Sequence, residues 1–242
     1  MDAAAIDQVA SSMQTSHPFI QEFGLPEALK STYYHMNKWT GSERYTYWEG
    51  NKTAHLKTWN GVAVTTFAHY EKPQLDLWED LVAPGLKSDL KVETWCQCEN
   101  PNTAADACGF HCCIPAICDA TKKSGGQRVS QIEYMVANIG NTSDANDVRE
   151  WDSNFTHAKW GLADEVDDAF APWVCLGDEN RQHQVPTCAS YGGQLTRGGG
   201  AACFQQKNLW KSLNSFIYRD ECNDNEVVDK KKKNQKSRVR IV

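Results

Sequence analysis

A histidine and a lysine two residues apart form a compact pair for handling phosphate, and the stretch DSNFTHAKWGLADE contains one at His157 and Lys159. On an extended chain alternate side chains share a face, so the imidazole and the ammonium would meet the same anion. The imidazole can attack phosphorus or protonate a leaving oxygen. The ammonium can offset charge that builds on the non-bridging oxygens. Ala158, Trp160 and Leu162 would then turn toward the core. Asp164 completes an H-x-K-x4-D pattern and is a third candidate catalytic residue.

Taken alone, H-x-K is a weak pattern. His55 and Lys57 repeat it in AHLKTW, where no other polar groups converge, and are read as structural. The pair at 157 has better company. GDENR sets Asp178, Asn180 and Arg181 at a strand end, and TRGGG puts Arg197 before Gly198, Gly199 and Gly200. A glycine run lets backbone N–H groups approach a phosphate closely. A flexible turn is the plainer reading of the same glycines.

The elements that must position these groups have their own signatures. GVAVTTFAHY (61–70) and LKVETWCQC (90–98) are rich in β-branched and aromatic residues and predict strands. Between them Leu77, Trp78 and Leu81 fall at helical spacing, with Pro73 early and Gly85 late. This strand–helix–strand order predicts an α/β layer architecture. APWVCLGDENR predicts a short strand running into a polar loop, and KNLWKSLNSFIYR (207–219) a one-faced helix through Phe216 and Ile217. The Lys-rich tail, 230–242, reads as a solvated charge run whose last residues, RVRIV, alternate like a closing strand.

At 242 residues the chain can bury a real core, and it reads as one domain. No apolar run is long enough to span a bilayer. Its formal charge of −6 argues weakly against a polyanion ligand at neutral pH. Seven histidines change that balance: protonating them in an acidic compartment would carry the sum just past neutrality. Ten cysteines and sequons at Asn51, Asn141 and Asn154 favour an oxidising, secretory environment. MDAAAIDQVASSMQ nevertheless has neither the basic nor the apolar region of a signal peptide, so the chain is expected to lack its front end.

Six cysteines crowd into residues 96–118: Cys96, Cys98, Cys108, Cys112, Cys113 and Cys118. Their C-x-C and C-C spacing does not fit the paired hooks of a structural zinc site, so two or three disulfides are the better reading and no metal is expected. Cys175, Cys188, Cys203 and Cys222 would make two more bridges, with connectivity left open.

Together NFTHAKW, PWVCLGDENR, RGGGAAC, LWKSL and SRVRIV resemble, in order and approximate spacing, the C-terminal region of the deoxyribonuclease II family, within the phospholipase D-like superfamily. A weaker similarity runs back through GVAVTTFAHY and LKVETW to SHPFIQEF. The resemblance implies an α/β fold: a phospholipase D-like mixed sheet flanked by helices, with a disulfide-rich loop and the N-terminal half of the family fold missing or incomplete. It implies hydrolysis of DNA phosphodiesters at acidic pH, without a metal or other cofactor, in lysosomes or after secretion. Two H-x-K motifs share such a site; one histidine forms a phosphohistidine, the other protonates the leaving 5′-oxygen, and 3′-phosphate ends result. His157 and Lys159 match the second motif. Asn180 and Arg181, with Asp178, match the GD-x-NR segment, and Arg197 to Gly200 the RGGG segment, as substrate-binding residues.

The departures from the family pattern are specific. The first H-x-K is absent, since His55 and Lys57 do not stand where it should be. Gly161 occupies the place of a family cysteine, and the six-cysteine loop is heavier. A second copy of the chain could supply the other H-x-K across a two-fold axis. Two alternatives stay open: an inactive relative that binds DNA or another polyanion through Arg181, Arg197 and the Lys-rich tail, and a secreted disulfide-rich binding protein without phosphate chemistry.

Overall fold

The computed structural model describes residues 2–16, 24–40, 50–70, 75–95, 116–118, 126–138, 148–152, 156–164, 171–181 and 198–222. Nine strands among them form one mixed sheet. They are β1 (Asn51–Lys57), β2 (Ala63–His69), β3 (Leu90–Glu93), β4 (Val129–Asn138), β5 (Val148–Asp152), β6 (Trp160–Ala163), β7 (Trp173–Gly177), β8 (Gly199–Gln205) and β9 (Ile217–Asp220). Their order is β1-β2-β8-β7-β6-β3-β4-β5, with β9 also on β4. The β3–β4 pair is parallel and the other pairs are antiparallel.

Helices cover both faces. α1 (Ala3–Ser16) lies on β1, β2 and β8, where Ala5 and Val9 meet Ala54, Leu56 and Val64. α2 (Tyr34–Thr40) packs on α1. α1 is an unusual support, because it buries Ser11, Ser12, Gln14 and Thr15. Ser12 and Thr66 hydroxyls share a hydrogen bond at 3.3 Å, which is how a polar helix face docks on a strand. On the opposite face, a π-helical segment (Leu77–Val82) runs into α3 (Ala83–Leu86). Asp76 caps it by accepting from the N–H groups of Trp78 and Glu79. Leu77, Trp78, Val82 and Ala83 join Phe67, Leu90, Val92, Val129, Cys175 and Cys203 in the main core. α4 (Lys207–Asn214) rests on β6 and β7, with the Trp210 indole N–H donating to the Ala163 carbonyl at 2.8 Å.

Two sequence expectations are corrected. The helix expected over 207–219 ends at Asn214, and Ile217–Asp220 is a strand on β4, so Phe216 and Ile217 are not on a helix face. Isolated strand propensity of Ile–Tyr is realised because β4 offers it a free edge. The four later cysteines do not pair among themselves alone: Cys175 bonds Cys203, but Cys222 bonds Cys118 at the end of the Cys-rich segment. Cys96, Cys98, Cys108, Cys112, Cys113 and Cys188 lie outside the described residues, as do Asn141, Asn154 and the tail at 230–242. Asn51 is exposed at the start of the edge strand β1. No helix among the described residues is long and apolar enough to cross a membrane.

Trp78 fixes the two strands that matter most. Its indole is fully buried and lies flat over two glycines on neighbouring strands. A Cβ at Gly177 would sit 2.7 Å from the ring, and one at Gly161 would sit 3.0 Å from it. Gly161 is thus required by the tryptophan that crosses it. The indole N–H also donates to the Glu179 carbonyl at 3.2 Å, so the ring cannot slide away. Gly177→Ala is expected to destabilise the protein by about 1–3 kcal/mol through overpacking. Urea unfolding followed by circular dichroism measures this; an unchanged midpoint would show that Trp78 has room to move.

Candidate active site

One rim of the sheet collects the polar groups. Strand register brings together the ends of β2 (His69), β7 (Gly177) and β3 (Glu93), and the beginnings of β8 (Gly199) and β6 (Trp160). His157 and Lys159 stand just before β6 on this rim. Gly177 donates its N–H to the Lys159 carbonyl at 3.0 Å, which carries the β6–β7 ladder one residue past the strand.

Residues 156–159 are not a regular strand. Thr156 accepts the Ala158 N–H on its hydroxyl at 3.0 Å and so makes a tight turn with His157 at its apex. His157 is exposed, and so is Ala158, which was expected in the core; Leu162 is fully buried as expected. The Lys159 ammonium reaches back to the carbonyl of His157 at 3.0 Å, which ties the two residues together by a route other than simple alternation. The imidazole stacks on Trp95, with ring centroids 4.6 Å apart and planes 17° apart. One ring face is therefore covered, while the ring nitrogens stay at the surface. Stacking of this kind fixes the plane of the ring.

Asp164 is not brought to this pair. It lies at the other end of β6, where its carboxylate pairs with Lys91 at 2.8 Å and Arg128 at 3.6 Å. Arg181, expected to face a phosphate, is an interior residue with 1 % exposure. Its guanidinium binds Asp76 at 2.8 Å and Glu79 at 3.0 Å. Asn180 is buried beside it. The GDENR segment is thus a clamp between β7 and the Asp76–Glu79 turn, with Asp178 alone of the three expected residues at the surface.

The glycine run is also explained by packing. A Cβ at Gly198 would be 2.6 Å from the Ser16 carbonyl, at Gly199 2.4 Å from the Glu179 carboxyl, and at Gly200 2.5 Å from the Phe67 carbonyl. Gly199 and Gly200 open strand β8 and Gly198 stands just before it, so the run is not a loose turn. Gly200 gives its N–H to Asp178 at 2.8 Å. Arg197 lies outside the described residues. His55 and Lys57 line an open cavity of about 510 Å³ with Trp173 and Leu86, at the end of the strands away from His157.

Sequence patterns alone did not single out Trp95, Glu93 or the buried pair of His69 and Glu179. His69 Nε2 lies 2.7 Å from Glu179 Oε2, and its Nδ1 lies 3.0 Å from the Tyr70 carbonyl. A carbonyl only accepts, so Nδ1 carries a proton and Nε2 shares one with the carboxylate. Burial alone would lower the His69 pKa, but the hydrogen bond and charge of Glu179 outweigh it, and the net shift is upward. Burial raises Glu179 against the opposing pull of His69. Burial likewise raises Asp178, against its hydrogen bond from Gly200 and the charges of His69 and Lys159. Glu93 is pushed up to about 8 by burial, with the charge of Asp152 adding to it and Thr156 opposing it. The AHYEK and LKVETW segments name these residues, but nothing local marks them as neighbours. Among the described residues no three His, Cys, Asp or Glu side chains gather as a metal-ligand set.

A model of the deoxyribonuclease II family matches residues 1–222, and the chain belongs to that family. It is 30% identical over 166 residues to cell-death-related nuclease 7 of Caenorhabditis elegans, covering 69% of this chain and 35% of the relative. It is 32% identical over 164 residues to a putative deoxyribonuclease-2 of Burkholderia pseudomallei, covering 65% and 35%. Deoxyribonuclease-2-alpha of Rattus norvegicus is 28% identical over 167 residues, covering 69% and 37%. The chain spans about a third of the length of these relatives.

Raised carboxyl pKa values make stability pH-dependent with a definite sign. Glu93, Asp178, Glu179 and Glu221 all hold protons more tightly folded than unfolded, as does His69. Their contribution is fully present below the unfolded pKa values and is lost as pH rises through the folded ones; the half-exposed His35, whose pKa is lowered, runs the other way. The thermal midpoint is expected to be higher near about pH 5 than near about pH 8.5. Calorimetry checks this, and a midpoint that rises between those values would contradict the burial of these groups.

Proposed function

We propose that this chain is the C-terminal half of a phospholipase D-like acid endodeoxyribonuclease, folded as one domain, and that His157 is its nucleophile. The observation that carries the reading is the exposed imidazole of His157, stacked on Trp95, with the Lys159 ammonium held against its carbonyl at 3.0 Å. A ring nitrogen attacks phosphorus and the bond from phosphorus to the 5′-oxygen breaks. A second histidine gives that oxygen its proton. Water, deprotonated by the same histidine, then attacks the phosphohistidine; the P–N bond breaks and a 3′-phosphate end leaves. Lys159 offsets the charge on the non-bridging oxygens at both stages. No metal is needed for either step.

The second histidine comes from another H-x-K. A two-fold pair of chains would place two copies of His157 and Lys159 across one phosphate. Acid conditions favour the reaction for a further reason: protonation of Asp178, whose pKa burial raises, removes a negative charge beside Lys159 where the phosphate must approach. The compartment is a lysosome or the exterior of the cell, and Asn51, Asn141 and Asn154 are its glycan acceptors. The burial of Arg181 weighs against the alternative of a polyanion-binding protein that uses that guanidinium.

Nicking of plasmid DNA at about pH 5 with a chelator tests the reading. His157→Ala should lose cleavage by roughly 10²–10⁴-fold, and Lys159→Ala by roughly 10²–10³-fold. Cleavage should rise with the square of protein concentration where the dimer is dilute, and labelled fragments should end in 3′-phosphate. Undiminished cleavage by His157→Ala, or fragments bearing 5′-phosphate, would overturn it.

A further inference from the structure

We propose that Glu93, fully buried where β3 ends beside Trp160, is the positioning residue for His157, bracing the Thr156 turn that carries the imidazole. The proposal rests on the reading of His157 as the attacking group and adds a residue that touches no substrate.

Glu93 ends β3 and pairs across the sheet with Trp160, the residue that opens β6. Its side chain has 0 % exposure. Neither carboxylate oxygen finds a well-formed hydrogen bond among the described residues, although the Thr156 hydroxyl is turned toward it. That hydroxyl oxygen already accepts the Ala158 N–H, so its proton is free to face the carboxyl. The same strand end leads two residues on to Trp95, whose indole carries the His157 ring. Both supports of the imidazole, the indole beneath it and the turn around it, therefore issue from the place that Glu93 fills.

An ionised carboxylate cannot stay there cheaply. It would be buried with few donors, and burial of a charge without partners is costly. Asp152 of β5 faces it and would repel it. Lys91, on its own strand, is engaged with Asp164 and Asp220. Trp160 of β6 and Ser130 of β4 bring no charge. When Glu93 loses its proton, the packing between the end of β3 and the Thr156 turn must open to admit water, and His157 leaves its indole. Retention of that proton up to about pH 8 sets the alkaline limit of the assembled site.

NMR on the full chain tests this without relying on activity. The ring protons of His157, assigned by difference against His157→Gln, should be shifted upfield by the indole at acid pH. They should lose that shift in a step near pH 8, beyond the imidazole's own titration. Glu93→Gln should abolish the step and, in cleavage assays about one pH unit above it, keep several-fold more of its acid activity than the parent. If Glu93→Gln does not fold, Thr156→Val should lose the upfield shift at every pH. A step that persists in Glu93→Gln, or its absence from the parent protein, or a stack undisturbed by Thr156→Val, would overturn the proposal. Cleavage that survives His157→Ala would instead remove the catalytic reading and leave the NMR result standing.

Discussion

The burial of Arg181 governs the geometry of the rim. A guanidinium with 1 % exposure persists only because Asp76 and Glu79 both bind it. Those carboxylates bracket Trp78 in sequence, so the ion pairs press the indole down onto Gly161 and Gly177. The consequence reaches the surface within two residues on each strand. Gly177 is bonded to Lys159, and Asp178 follows it. The clamp therefore sets the spacing between the cation beside His157 and the acid that faces it. Loss of both carboxylates would leave buried charge uncompensated, which costs more than the ion pair gains over an apolar core.

The disulfides reinforce the same region from outside. Cys175 and Cys203 are cross-strand partners on β7 and β8, with Cys203 on the same strand as the glycines that open β8. Cys118 and Cys222 are 104 residues apart and tie the end of the Cys-rich segment to the exit of β9. A loop of that size corresponds to about 4–5 kcal/mol in the chain-entropy account. The bridges secure strands whose tight packing leaves no space for side chains at Gly199 and Gly200.

Much of this was legible locally. β-Branched and aromatic residues mark β2, a short apolar run marks β7, and H-x-K marks the turn at His157 because the chemistry is contained in three residues. What was not legible depends on distant partners. An arginine in a polar run after a strand reads as a surface residue; only Asp76, 105 residues away, makes it interior. The glycines of RGGG read as a cradle because the atoms they avoid belong to α1, β2 and Glu179. α1 was not legible because its buried face mixes two alanines with serine, glutamine and threonine and forms no strong apolar stripe. Asp164 lay at a suggestive spacing, yet a β-strand carries residues five apart to opposite ends of the sheet.

Net charge is a poor guide to the field at such a rim. The chain carries 31 acidic against 25 basic residues, which would repel a polyanion if the charges were spread evenly. They are not spread evenly. Asp76 and Glu79 are spent on Arg181, Glu179 on His69, and Asp164 on Lys91 and Arg128. Glu93 is held neutral. Among the described residues, Glu93 and Glu179 of this rim are thus interior, while the imidazole stands outward. Acidification strengthens this asymmetry, because burial raises the pKa of Asp178, a carboxyl at the surface of this rim. The same burial that shapes the fold makes a locally cationic rim out of an acidic sequence.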